Sequence, residues 1–183
     1  ASYDYDGAIK LIQAEESYAE YQDLTNAIAE YEQIKTTLVK VDVTKVPHIF
    51  FHPLIFDSKV AFKSDMKEAF HTADTTVSEF KEIIQQLYDQ GYVLVRLHDV
   101  METYDKDGKT KLKKGKILLP EGKKPIIISE DDTNYYDYWD GRGVANRLIV
   151  GEDGKPTNEV DLEDGSVTVG DLDIAPILER LCE

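Results

Sequence analysis

Residues 125–136 read PIIISEDDTNYY. Pro125 to Ile128 form an unbroken apolar run, three acids follow at Glu130, Asp131 and Asp132, and tyrosines come soon after. A short continuous apolar run predicts a strand buried on both faces, the pattern of a parallel sheet. In folds built on parallel strands, ligand sites lie at the carboxyl ends of those strands. The stretch therefore bears on both the fold class and the place to look for chemistry.

Working outward, strand and helix signals alternate. VPHIFFHPLI (46–55) is rich in β-formers, and Pro47 and Pro53 bound a short strand. Residues 57–74 read as a polar loop. TTVSEFKEIIQQLYDQGY then predicts a helix, with Thr76 or Ser78 as cap, Phe80, Ile83, Ile84 and Leu87 on one face, and Gly91 as the stop. YVLVRL (92–97) predicts a second strand and HDVMETY a short helix. Asp107-Gly108 and Asp153-Gly154 predict hairpin turns. DLDIAPILERLCE starts a helix. Residues 7–40 look helical, with Leu24, Ile28, Tyr31, Ile34 and Leu38 on one stripe and a break near Asp23, Thr25 and Asn26. The expected organisation is a helical arm over 1–40 and an α/β domain with parallel pairing over 41–183.

Composition narrows the function classes. The 183 residues carry a net charge of −15, which opposes nonspecific binding to nucleic acid or anionic membranes. Cys182 is the one cysteine, so no disulfide forms within the chain. No apolar run reaches the length of a membrane span, and the opening residues ASYDYD leave room for an export signal removed earlier.

Several patterns resemble chemical sites and can be weighed. His48 and His52 have a zinc-like spacing, but on a strand they lie about 13 Å apart, too far to share one ion. His52 alone, at a strand's end, is a candidate to line a site. Asp131 and Asp132 are neighbours that point to opposite faces of an extended chain, which makes them a poor pair across one glycosidic bond. They can still divide the work of a metal ligand and a base, although spacing alone favours a solvated turn. Tyr135, Tyr136, Tyr138 and Trp139 suit a platform for sugar rings, and packing is the commoner fate of such a cluster.

VPHIFFHPLI, EFKEIIQQLYDQGYVLVRLHDVM and LPEGKKPIIISEDDTNYY, in this order, resemble the polysaccharide deacetylases of carbohydrate esterase family 4. The match spans about residues 45–140. Ser129 to Thr133 stand in the place of that family's Thr-Phe-Asp-Asp-Gly motif. The resemblance implies an irregular (β/α) barrel of which this chain holds the amino-terminal part. It also implies hydrolysis of N-acetyl groups on a cell-wall or surface polysaccharide, by an exported bacterial protein. By position, Asp131 is the general base and Asp132 a ligand of a divalent metal, zinc foremost, that polarises the acetyl carbonyl and activates water. His52, Tyr135, Tyr136 and Trp139 would line the substrate site. Glu130 replaces the motif's phenylalanine and Thr133 its glycine. The family's paired histidine ligands have no counterpart, since no histidine follows His98. The chain alone is therefore expected to be inactive and to bind metal weakly at most. The alternative is a noncatalytic glycan-binding or surface-interaction domain on the same scaffold.

Overall fold

The computed structural model describes residues 3–162 and 164–181. Cys182 lies outside the described residues. The fold mixes helices and strands and includes a parallel three-stranded sheet. The chain divides into two compact units, one of residues 1–48 and 90–127, the other of residues 49–89 and 128–183.

The first unit opens with α1 (Tyr5–Gln13), capped by Asp4, whose carboxylate accepts from Gly7 N at 2.9 Å. A 3-10 turn at Tyr18–Glu20 leads to α2 (Gln22–Lys35). The break falls at residues 14–21, not near Asp23 as expected. Glu15 and Glu16 would sit unfavourably at the negative end of a continued α1, whereas Asp23 suits the first turn of α2. Thr25 and Asn26 are inside that helix, where Gln22 bonds to both side chains. Leu24, Ile28, Tyr31 and Ile34 are half-buried along α2 as expected, whereas the helix ends at Lys35, before Leu38 and the expected limit at 40. Tyr5 packs on Tyr31 at 5.5 Å, and Lys35 pairs with Asp6 at 2.6 Å.

Strand β1 (Val39–Lys40) pairs with β6 (Leu118–Leu119), two short elements that the sequence reading did not separate. The core of this unit gathers Val43, Val93, Ile117 and Leu119. The predicted helix at HDVMETY is only the turn α6 (Leu97–Val100). From Met101 the chain is β4 (Met101–Lys106), which returns through Asp107-Gly108 as β5 (Lys109–Lys114). Both turn residues have positive φ, 53° and 70°, as the two-residue hairpin expected there requires.

β2 (His48–Phe51), β3 (Tyr92–Leu94) and β7 (Lys124–Glu130) form the parallel sheet in the order β2-β7-β3. Pro125, Ile126 and Ile127 are buried, as the unbroken apolar run predicted. β3 is shorter than YVLVRL, although Val95 N still donates to Ile126 O.

In the second unit, α5 (Val77–Asp89) begins with a reciprocal cap. Glu79 N donates to Thr76 Oγ1, and Thr76 N donates to the Glu79 carboxylate. The expected polar loop at 57–74 is instead two short helices, α3 (Ser58–Ala61) and α4 (Lys67–Ala73). Asp57 caps α3, and Phe62, Met66 and Phe70 recur every four residues against one core with Ile55, Trp139 and Val144. β8 (Arg147–Val150), β9 (Pro156–Asp161) and β10 (Val167–Gly170) make an antiparallel meander with the expected turn at Gly154. α7 (Ile174–Leu181) packs Ile174 and Ile177 against Leu54 and Phe80.

Candidate functional site

The carboxyl end of β7 lies in the second unit, and alternation along the strand sends its acids different ways. Asp131 is exposed, and its backbone N–H donates to Phe51 O at 2.9 Å, which pins the strand end beside β2. The Asp131 carboxylate accepts from Asp132 N at 3.0 Å. Asp132 has φ +59°, a left-handed conformation that aspartate tolerates better than most residues. Its carboxylate accepts from the Tyr136 hydroxyl at 3.2 Å. Tyr135 is also left-handed, at φ +50°. Thr133 is not a positive-φ residue. The turn instead places its left-handed positions at Asp132 and Tyr135.

Glu130 turns inward and meets Asp173, which is fully buried. Asp173 accepts from Leu54 N at 2.9 Å, Ile174 N at 2.8 Å and the Tyr135 hydroxyl at 3.0 Å. Those three donors favour charge on Asp173, whereas Glu130 Oε1 is buried without a partner. Burial, and then the neighbouring Asp173 carboxylate, push the Glu130 carboxyl up to about 8. Burial raises Asp173 as well, but its three donors oppose that rise, so Glu130 is the more readily protonated of the two. An acid at position 130 can thus enter the interior uncharged.

His52 Nδ1 donates to Ala73 O at 3.2 Å, and its ring meets Phe50 edge-on at 5.8 Å. Burial pushes the next carboxyl, Asp74, up to about 6, with His52 lowering it and Asp132 raising it. His52, Asp74 and Asp132 thus share one electrostatic environment.

The aromatic residues divide by burial. Trp139 is only 7% exposed and fills the core with Ile55 and Phe70. Tyr136 stacks on Tyr138 with centroids 5.0 Å apart, and Tyr138 is 54% exposed. The segment that carries them is tied down by Arg142, which binds both oxygens of Asp65 at 2.8 and 3.2 Å. Beside it lies a hollow of about 490 Å³, lined by Glu130, Tyr135, Asp137, Asp140, Asn146 and Arg147 among others.

Asp132 is a suitable oxygen donor, but among the described residues no three His, Cys, Asp or Glu side chains gather to hold an ion. The donor set present does not complete a zinc site, which needs three protein ligands and an open position. The structure thus brings together Asp131, Asp132, Tyr135 and Tyr136 at one turn, places His52 near Asp74, and seats Trp139 in the core. Sequence reading missed Asp74 and Asp173. Asp173 carried a usable signal, because an acid just before a terminal helix is a capping residue. Asp74 carried none.

No protein-family model matches this chain, and no curated protein or solved structure matches it either.

Proposed function

We propose that this chain is the amino-terminal part of a polysaccharide deacetylase domain with an irregular, partial (β/α) barrel, acting on N-acetyl groups of a bacterial cell-wall or surface polysaccharide. One observation carries the reading. A strand in a parallel sheet ends in two adjacent aspartates that the turn sends to different surroundings, one exposed and one held by a tyrosine. Such a division suits a general base beside a carboxylate ligand better than it suits a symmetric pair. Asp131, exposed and without an ion pair among the described residues, is the base that takes a proton from water attacking the acetyl carbonyl. Asp132 is one carboxylate of a metal site whose histidine ligands are not among residues 1–183. The polar hollow and the Tyr135–Trp139 segment are the surroundings of the sugar. The test is acetate release from an N-acetylated glycan by the natural full-length polypeptide, with metal content measured in parallel. Asp132→Ala is expected to lose bound metal. Asp131→Asn is expected to keep it while acetate release falls at least about 100-fold. Undiminished release by Asp131→Asn would overturn the assignment.

A second reading, noncatalytic glycan binding, is favoured by the exposed Tyr138 ring stacked on Tyr136. A sugar ring stacks on such a face. On this reading Tyr138→Ala weakens binding of an N-acetylated oligosaccharide several-fold in calorimetric titration of residues 1–183. The same chain then releases no acetate with or without added metal.

A further inference from the structure

The β4–β5 hairpin holds a pattern that the proposed chemistry does not use. Residues 101–116 carry six lysines against three acids, in a chain of net charge −15. The hairpin register shows where those charges point. Glu102 faces Lys113, Tyr104 faces Lys111 and Lys106 faces Lys109, so these six side chains share one face. Met101, Thr103, Asp105, Thr110, Leu112 and Lys114 share the other. Four of the five lysines on the two strands are therefore on one side. Lysines serving only to keep an exposed hairpin soluble would have no reason to choose a side.

On this face Lys113 pairs with Glu102 at 2.7 Å. Among the described residues, Lys106, Lys109 and Lys111 make no ion pair. Both strands are exposed along nearly their whole length. Six residues of strand reach about 20 Å, roughly twice the Debye length at physiological salt, so acids at the base of the hairpin act weakly on its tip, where Asp105 points to the other face and Asp107 is in the turn. Lys109, Lys111 and Lys113 recur at about 7 Å along the strand.

We infer that this face docks a linear phosphodiester-linked polymer that carries no stacking bases. Charge complementarity sets the sign of the partner, and the regular spacing calls for a repeating anion. Lysine is a flexible point charge that meets a phosphate without demanding the fixed bidentate geometry of arginine. Single-stranded nucleic acid is held by successive aromatic platforms as well as by charge. Here Tyr104 is the one aromatic on the face, and the remainder of the chain is strongly acidic. The inference does not depend on the deacetylase reading, because none of its residues belongs to the candidate site.

The experiment titrates residues 1–183 with poly(glycerol phosphate) of defined length at several salt concentrations. It compares the wild type with a triple variant, Lys106→Gln, Lys109→Gln and Lys111→Gln. A control variant, Lys40→Gln, Lys45→Gln and Lys59→Gln, makes the same change in net charge elsewhere. The wild type is expected to bind, with affinity falling steeply as salt rises. The hairpin variant is expected to lose at least about 10-fold in affinity and to reduce the salt slope by about 2, while the control changes little. Absence of wild-type binding at low salt, or an equal loss in the control, overturns the inference. So does equal or tighter binding of a single-stranded oligonucleotide of matched charge. Sedimentation showing a dimer that only the hairpin variant disrupts, without polymer binding, would assign the face to a second copy of the chain.

Discussion

Asp173 and Glu130 show how much one buried residue organises here. Asp173, fully buried, accepts from two backbone amides and one hydroxyl. Asp173→Ala leaves those donors unpaired and is expected to lower folding stability by about 3–5 kcal/mol, measured by urea denaturation. Asp173→Asn keeps an acceptor for the two amides, so its loss is expected to be clearly smaller. Equal losses would show that the carboxylate charge, not the two amide hydrogen bonds or the cavity, carries the effect. At this scale the sequence was partly legible. Asp131 and Asp132 stood out because acids at the end of an apolar strand are unusual, and neighbours on an extended chain must diverge. That Glu130 turns inward was not legible, because its partner lies 43 positions away and only folding brings the two carboxyls together.

Elements were legible where a local signal was strong. Thr76 with Glu79, the Asp107-Gly108 turn and the apolar run of β7 each carry their own geometry. The helices α3 and α4 were missed because each is too short for a periodic pattern and depends on packing around Phe70. The hairpin's anchor was not legible either. Gly115 N donates to Val100 O at 2.8 Å, and a Cβ at Gly115 would collide with the Asp99 carbonyl. Gly115→Ala is therefore expected to cost about 1–3 kcal/mol and to loosen the hairpin at its base. Hydrogen exchange in β4 and β5 is expected to speed up more than in β9. Unchanged protection in β4 and β5 would remove Gly115 from this role.

For the whole molecule, the balance of charge with pH follows from the buried acids. Glu130 is raised from 4.5 to about 8 and Asp74 from 3.8 to about 6, both chiefly by burial. The folded chain therefore holds more protons than the unfolded chain between each pair of values. Stability contributed by these two groups is fully present below about pH 4 and is lost as pH rises, through about 6 for Asp74 and about 8 for Glu130. Surface acids act oppositely. Arg142 lowers Asp65 and Lys35 lowers Asp6, and these contributions are lost as pH falls below about 4. The melting temperature is expected to peak in mild acid and to decline toward pH 8, and Glu130→Gln is expected to flatten that decline. A melting temperature that rises from pH 5 to 8 would contradict the buried-acid account. By itself, the sequence determined the Thr76 cap of α5, the hairpin turns, the burial of β7 and the position of two aspartates at its end, because these depend on alternation and on neighbours within about four residues. The tertiary structure alone decided that Glu130 meets Asp173, that His52 and Asp132 act on Asp74, and that Trp139 fills the core. Those outcomes depend on contacts between distant segments, and desolvation at such contacts sets which acids keep their charge.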